Sequence, residues 1–296
     1  DNQMGRRRGC QGYTLTSTLD GRILAPQVLV DPGTSESRTA GYGDENTMTE
    51  VPSVAVIDED MGRVMPASMR VDHRTTFIHN GMQEGPEPCV LPRSSAYDKN
   101  RDTLLVGCYG IDSVVAYDAS SPDPVNAELR RWRVGAGPSG IAVDADKRQA
   151  VVFSQFDRVV NIIPLGRPLE GKPGADDANV IRVELTSAPG EPDIAVALGR
   201  SLFHSTGDAR VARDGRACAS CHPDGREDGL TWATPNGPRR TKLLAGRLEG
   251  TAPFSWDGNA DHLHVHLKET FERLGGVGGL RSIELKALVA YLEALD

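Results

Sequence analysis

The stretch Pro92-Arg-Ser-Ser-Ala96-Tyr-Asp98, followed by Leu104-Leu105-Val106 and Asp112-Ser-Val-Val115, decides the fold because it occurs twice. Its copy is Pro138-Ser-Gly-Ile-Ala142-Val-Asp144, Ala150-Val151-Val152 and Asp157-Arg-Val-Val160, aligned with one single-residue gap. Short runs of Val and Ile between Pro, Gly and Asp are typical of antiparallel strands joined by tight turns. A weaker copy begins at Pro52, so the leading prolines are 40 and 46 residues apart. Periods of about 40 to 50 residues, each holding several strands, predict propeller blades.

The repeat resembles the strand repeats of bacterial surface-layer-type and quinoprotein-like β-propellers, through Gly137-Pro138-Ser-Gly-Ile-Ala-Val-Asp144 and its copies. The resemblance implies a partial or small β-propeller over residues 1–190, with room for roughly four blades. Since propellers typically have up to about eight blades, we expect the chain to be the C-terminal part of a larger propeller protein. A β-sandwich with accidental repeats is the alternative.

A different pattern follows Pro189 to Pro192, and residues 191–296 are predicted to form a separate domain. Helices are predicted over 193–204, over 260–274 and at the C-terminus, where Ser282 is the predicted N-cap. Apolar residues support these helices, and in the second and third helices they are spaced for one helical face. They are Ile194, Ala195, Leu198, Leu202 and Phe203; Leu263, Leu267, Phe271 and Leu274; and Leu285, Leu288, Val289, Leu292 and Leu295. The predicted fold class is therefore multidomain β + α, a propeller followed by an all-α, class I-like cytochrome c domain.

The motif Cys218-Ala219-Ser220-Cys221-His222 has the spacing of c-type haem attachment. Both thiols bond the porphyrin and the histidine is an axial iron ligand. A zinc site would need two further ligands and no second Cys pair occurs, while a thioredoxin-like redox pair would need a βαβ pattern. The motif predicts one covalent haem c.

The residues around this motif resemble the haem domains of bacterial dihaem cytochrome c peroxidases and methylamine-utilisation enzymes, above all a branch in which such a domain follows a β-propeller. Similarity covers 194 to 296. The matching stretches are Leu198-Gly-Arg-Ser-Leu202-Phe-His204, Ala217-Cys-Ala-Ser-Cys-His-Pro223-Asp-Gly225, Asp228-Gly-Leu-Thr-Trp232, Leu244-Ala-Gly-Arg247 and Thr251-Ala-Pro-Phe-Ser-Trp-Asp-Gly258. Those enzymes use two haems, whereas this chain has one CxxCH, which weakens the prediction of an autonomous peroxidase.

The sixth iron ligand is the open question of this site. Every methionine lies at or before Met82, so histidine is the predicted substitute. The family resemblance, in a His-Leu-x-x-Thr stretch, favours His266, whereas proximity to the apolar stripe of the helix favours His264. A five-coordinate iron with solvated histidines is the third possibility.

Other residues receive supporting roles. Arg247, with Arg239 and Arg240 nearby, is predicted to hold haem propionates because a guanidinium matches carboxylate geometry, although each could be a surface arginine. Trp232 and Trp256 are predicted to pack against the macrocycle. His204 is predicted to lie near a haem edge or to satisfy a core hydrogen bond, and His73 and His79 to have surface or turn roles.

Composition limits the setting. A net charge of −8 and a pI near 5.4 argue against a nucleic-acid partner. No apolar run is long enough to span a membrane. Cys89 and Cys108 could form a disulfide in an oxidising compartment, with Cys10 left over. By family resemblance the haem implies a periplasmic or cell-surface location.

Three functions remain open at this point. The first is an electron carrier with a bis-histidine haem, which would serve a redox partner such as another cytochrome. The second is a peroxidase-like enzyme with an open distal site. The third is a structural or relay subunit of a multihaem, multisubunit assembly.

Overall fold

The computed structural model describes residues 7–34, 42–43, 48–69, 87–165, 179–186 and 193–296. His73, His79 and the predicted boundary between Pro189 and Pro192 lie outside these ranges. The chain divides into two compact units. The first contains Asp1–Val30, Glu50–Thr76 and Glu84–Ser187, and the second contains Asp31–Thr49, Phe77–Gln83 and Ala188–Asp296. Residues 31–49, which the sequence assigns to the first domain, thus belong to the second unit.

Strands build the described part of the first unit. They are β1 (Arg8–Cys10), β2 (Thr16–Ser17), β3 (Arg22–Val30), β4 (Glu50–Asp58), β5 (Arg63–Val64), β6 (Pro92–Asp98), β7 (Thr103–Cys108), β8 (Ser113–Asp118), β9 (Glu128–Arg133), β10 (Pro138–Asp144), β11 (Gln149–Ser154), β12 (Val159–Pro164) and β13 (Ile181–Glu184). They form an antiparallel sheet in the order β1-β3-β4-β5, with β2 also on β3, and two four-stranded meanders, β6-β7-β8-β9 and β10-β11-β12-β13. The described residues therefore hold three sheets of propeller-like form rather than the expected four.

The two meanders repeat each other in geometry as well as in sequence. Their first three strands begin 46 residues apart, so the single-residue gap in the sequence alignment is not needed. Both first strands carry a bulge between their first and third residues, that is, between Pro92 and Ser94 and between Pro138 and Gly140. The hairpin residues Asp102 and Asp112 have positive φ, as do Arg148 and Arg158 at the equivalent positions. The repeat is thus one supersecondary unit used twice.

Apolar side chains on facing strands join the sheets into a shared core. One cluster contains Leu24, Val54 and Val56 of the first sheet together with Leu104, Val106 and Val115 of the second. Another joins Leu105, Val114 and Trp132 to Val152 and Ile163 of the third sheet. A disulfide links Cys89 to Cys108 within the first cluster, so this pairing is present.

Helices dominate the second unit, but not completely. They are α1 (Ile194–His204), α2 (Cys218–Cys221), α3 (Leu263–Arg273) and α4 (Ser282–Glu293), and a hairpin of β14 (Thr231–Thr234) and β15 (Gly237–Arg240) lies between α2 and α3. The prediction of an all-α domain therefore misses the hairpin. Polar and charged residues at that hairpin gave no helical period, and its strands are only four residues long.

The ends of the helices differ slightly from the predicted ones. Asp193 caps α1, because its carboxylate accepts a hydrogen bond from the Ala195 N–H at 2.7 Å. Ser282 is the first helical residue of α4 rather than its N-cap. The preceding Arg281 N–H donates to the Glu284 carboxylate at 2.8 Å, which satisfies an end group that has no partner within the helix.

The contact between α1 and α4 is very close. A Cβ at Gly199 would lie 2.0 Å from the Ala287 carbonyl oxygen and 2.6 Å from the Tyr291 Cβ. The buried residues of α1 are accordingly Gly199, Phe203 and His204, whereas Ile194 is 87% exposed. The glycine, which carries no apolar signal, sets which face of α1 packs.

Hydrogen bonds join Pro32 and Thr49, both in the segment 31–49, to the rest of the second unit. The Ala233 N–H of β14 donates to the Pro32 carbonyl oxygen at 2.9 Å. Thr49 hydrogen-bonds to the Asp214 carboxyl group, which also pairs with Arg216 at 2.8 Å. Burial raises the pKa of Asp214, but Arg216 and Thr49 outweigh it and the pKa is lowered. A sequence-order division of the chain cannot detect such contacts.

Candidate functional site

The CxxCH motif forms α2, a single helical turn. The His222 N–H, just after it, donates to the Cys218 carbonyl oxygen at 2.9 Å. Cys218 and Cys221 are three residues apart, so both thiols leave the same face of the turn. Both are half-buried, while Ala217, Ala219 and Ser220 around them are buried. Burial raises the pKa of the Cys218 thiol to about 12.

A cavity of about 950 Å³ lies beside this turn, at the upper end of the volumes of small-molecule sites. His222 lines it, and so does His266, which lies 44 residues later on α3. Its other lining residues come from the segment 31–49, from residues 227–256 and from α3: Tyr42, Glu227, Pro238, Arg239, Arg240, Thr241, Lys242, Leu243, Leu244, Arg247, Leu248, Thr251, Pro253, Phe254, Ser255, Trp256, Leu263, Thr270 and Arg273.

The two lining histidines share the same electrostatic state. Burial lowers the pKa of each to about 4. For His222 a hydrogen bond with the Lys242 backbone opposes this shift and the charge of His266 adds to it, and for His266 the charges of Arg273 and Lys242 add to it. Both are therefore neutral at pH 7, the form of imidazole that binds metals. The Nδ1 atom of His266 is buried and has no hydrogen-bond partner among the described residues. Two neutral imidazoles lining one cavity are suited to two axial positions on a metal.

His264 lies elsewhere. It is exposed, and its ring stacks on that of His262 with centroids 5.5 Å apart. The argument from burial, which favoured His264, fails because α3 has a second inward-facing stripe. That stripe, at positions i, i+3, i+7 and i+10, is Leu263, His266, Thr270 and Arg273, and it faces the cavity.

Cationic residues dominate the charge of the cavity. Arg239, Arg240, Lys242, Arg247 and Arg273 line it, against the single acidic residue Glu227. The whole chain has the opposite sign, at −8. The three arginines predicted as carboxylate partners thus lie on the cavity, and the excess of positive charge suits a ligand that carries carboxylates.

The two predicted tryptophans differ. Trp256 is half-buried and lines the cavity. Trp232 is 3% exposed and is not among the lining residues; its indole N–H donates to the Asp228 carboxylate at 2.7 Å and to the Thr241 hydroxyl at 3.1 Å. Trp232 is therefore a core residue of the hairpin rather than a cavity wall.

Cys218, Cys221 and His204 are also not among the lining residues of the described chain. Cys221 is nevertheless close enough to the lining residue Tyr42 that its charge raises the pKa of that phenol. His204 is 5% exposed, and its Nδ1 lies 2.8 Å from the Arg200 carbonyl oxygen. His204 therefore has the core hydrogen bond that was one of its two predicted roles.

Sequence reasoning missed Tyr42 and Arg273. Arg273 carried a signal, since it follows His266 by seven residues, two helical turns. Tyr42 carried none, because it lies more than 170 residues before the motif. The argument that excluded methionine as the sixth iron ligand was also incomplete, because Met48 belongs to the second unit. Met48 is, however, not among the residues that line the cavity.

The donor set fits a haem better than a bare metal ion. In the described part of the chain, no three His, Cys, Asp or Glu side chains are grouped to hold an ion. A haem needs only two ligands to its iron from the protein, and the two imidazoles that line this cavity can supply them. The helices among the described residues are too short or too polar to cross a membrane.

No protein-family model matches the chain, and no curated protein matches it. Hydrazine synthase from Kuenenia stuttgartiensis is similar in structure over 54% of this chain and 34% of its own, with 18% identity and a TM-score of 0.33. The β-propeller domain of Cps50 (Swd1) from Myceliophteria thermophila is similar over 62% of this chain and 41% of its own, with 14% identity and a TM-score of 0.33. The chain thus spans less than half the length of either structure.

Proposed function

We propose that this chain is an extracytoplasmic c-type cytochrome that transfers single electrons through one covalently bound haem. The observation that carries the proposal is the shared cavity of His222 and His266. His222 directly follows the two cysteines of the CxxCH motif, and His266 comes from a helix 44 residues later. Both imidazoles are neutral at pH 7, since burial lowers each pKa to about 4.

Each residue then has a defined task. Cys218 and Cys221 would bind the haem covalently, and His222 and His266 would hold its iron. Arg239, Arg240 and Arg247 would bind and orient the haem carboxylates, while Trp256 and the leucines of the cavity exclude water. When bound, a c-type haem supplies a one-electron couple.

The second unit would be a class I-like cytochrome c domain with an added hairpin. Supporting this, α1 and α4 pack closely at Gly199, and the CxxCH turn and α3 lie between them in sequence. The first unit would be a scaffold or docking platform for a redox partner, such as another cytochrome or a multisubunit assembly.

A periplasmic or cell-surface location is part of the proposal. Its support is the disulfide between Cys89 and Cys108, because structural disulfides persist in oxidising compartments and are rare in the cytosol. Haem attachment outside the cytoplasm, implied by the family resemblance, agrees with this location.

The test is the optical spectrum of protein produced with a c-type haem maturation system, oxidised, dithionite-reduced, and reduced with carbon monoxide. We expect covalent haem, low-spin bands in both states and no carbon monoxide shift. The midpoint potential should lie below that of methionine-ligated cytochromes, since methionine raises it.

His266→Ala and His264→Ala are a matched pair. His266→Ala should give a high-spin oxidised spectrum and carbon monoxide binding, whereas His264→Ala should leave the spectrum unchanged because His264 is exposed. A protein without covalent haem would refute the proposal. High-spin wild-type protein with a large carbon monoxide shift would replace the electron carrier by the peroxidase-like enzyme.

A further inference from the structure

Two hydrogen-bond donors line the cavity without a partner. The Tyr42 hydroxyl is buried, and among the described residues it neither donates nor accepts a hydrogen bond. The whole Tyr42 residue is 8% exposed. The Arg273 Nε is buried and unpaired as well. Buried donors normally find acceptors, because an unsatisfied donor costs about 1 to 3 kcal/mol. Two such donors on one cavity indicate an acceptor that the protein itself does not supply.

Trp256 holds both donors on the same part of the lining. The Tyr42 ring packs edge-on against the Trp256 ring, with centroids 5.6 Å apart. The Arg273 guanidinium lies 5.4 Å from the centroid of the Trp256 ring. The charge of Arg273 also acts on the Tyr42 phenol, so the two donors lie in one neighbourhood of the lining.

Hydrogen bonds along α3 fix the guanidinium. Its Nη2 donates to the Thr270 hydroxyl at 2.8 Å, which in turn donates to the His266 carbonyl oxygen at 2.8 Å. The ion pairs among the described residues do not include Arg273. Its charge is thus positioned by these hydrogen bonds, and the carboxylates nearest to it in the described chain, on Asp257, Glu269 and Glu272, line a second, smaller cavity that Arg273 also borders.

The backbone at Tyr42 supports a functional placement. Its φ is 60°, in the left-handed region, which is costly for a bulky residue and persists where the surroundings hold it. Burial also raises the pKa of Tyr42, so the phenol keeps its proton and can donate. Tyr42 thus presents a fixed hydrogen-bond donor to the cavity.

A hydroxyl and a guanidinium beside a cationic cavity match one chemical class. Carboxylates accept from both groups, and guanidinium–carboxylate pairs are among the strong hydrogen bonds of proteins. We propose that Tyr42 and Arg273 form a subsite that binds a carboxylate group within this cavity. The carboxylate belongs either to the cofactor, in which case the inference rests on the proposed function, or to a separate small acid.

The experiment has two arms and uses the full chain. Calorimetric titration with acetate, with chloride as the control anion, measures binding of a separate acid. Redox titration measures the midpoint potential and its pH dependence. Both are applied to Tyr42→Phe and Arg273→Gln. The controls are Tyr291→Phe, a buried tyrosine of the same unit outside the lining, and Arg226→Gln, an exposed arginine outside it.

A separate acid as ligand would give saturable acetate binding that Tyr42→Phe and Arg273→Gln weaken at least about tenfold, because a hydrogen bond to a charged group is worth roughly that factor. A cofactor carboxylate would give no acetate binding. Both variants would then lower the midpoint potential relative to their controls, since a less compensated carboxylate favours the oxidised iron. If Arg273→Gln does not fold, Arg273→Lys keeps the charge and removes the planar fork.

Two results would overturn the inference. One is holoprotein in which neither acetate binding nor potential responds to these variants more than to the controls. The other is haem-free protein that does not bind acetate. Absence of haem alone refutes only the proposed function. If haem-free wild-type protein binds acetate and Tyr42→Phe does not, the subsite is still established.

Discussion

The two units differ in how far apart in sequence their contacting residues lie. In the first, neighbouring strands of each meander follow one another in sequence, and the repeat at 46 residues reproduces even the bulges and the positive-φ turns. In the second, the cavity joins Tyr42, His222 and His266, and a glycine on α1 meets a carbonyl on α4. Local, repeated contacts leave a periodic signal in a sequence, whereas single long-range contacts leave little.

The largest effect should come from the helix contact of the second unit. Gly199→Ala adds a Cβ 2.0 Å from the Ala287 carbonyl oxygen, so the helices must separate. We expect a loss of about 3 kcal/mol or more, despite a gain of roughly 1 kcal/mol in helix propensity. Urea unfolding measures it, with Trp232 and Trp256 reporting on the second unit and Trp132 on the first.

The control is another glycine-to-alanine change. Gly140→Ala, on β10, meets only the Phe153 Cβ at 3.7 Å, an ordinary contact. Its stability should stay close to that of the wild-type protein. Equal losses in both variants would show that the close approach of α1 and α4 is not what matters.

Removal of the disulfide should have the next largest effect, confined to the first unit. The double variant Cys89→Ala/Cys108→Ala releases a cross-link that spans 19 residues. The chain-entropy model gives a loss of about 3 kcal/mol for such a loop. Unfolding followed at Trp132 should occur at lower urea, while the haem spectrum should not change. An altered haem spectrum would contradict this division of roles.

The smallest effect is a pH dependence at the start of α4. Hydrogen bonds from Arg281, and then Arg210, lower the pKa of Glu284 to about 2 from an ordinary value of 4.5. A depressed pKa stabilises the fold above the unfolded-state pKa, and the contribution is lost as pH falls. Wild-type protein should therefore exceed Glu284→Gln in stability above about pH 4.5, and the difference should shrink toward pH 2. Unfolding curves between pH 2 and 7 measure it.

Glu293→Gln, an exposed glutamate at the other end of α4, is the control. Its stability difference from wild-type protein should stay constant over the same pH range. A Glu284→Gln difference that grows as pH falls would refute the assignment.

Sequence patterns located the strands of the meanders, the three longer helices and the CxxCH turn, because periodicity and spacing are local properties. They ranked His266 above His264 only through resemblance, since a helical wheel built on Leu263, Leu267 and Phe271 cannot show a second buried stripe. The position of Trp232 away from the cavity lining could not be predicted, because its hydrogen bond to Asp228 depends on the hairpin. Neither the position of Tyr42 on the cavity nor the placement of residues 31–49 could be predicted, because no local sequence pattern marks them.

The placement of residues 31–49 also has a consequence for the order of synthesis. Trp256, on which the Tyr42 ring packs, follows it by 214 residues. At a translation rate of about 5 to 20 residues per second, the tyrosine waits roughly 10 to 40 s for its neighbour to be made. The first unit can pair its meanders during that interval, whereas the cavity can be completed only near the end of synthesis. A fragment that begins at residue 188 would therefore lack one wall of the cavity from the outset.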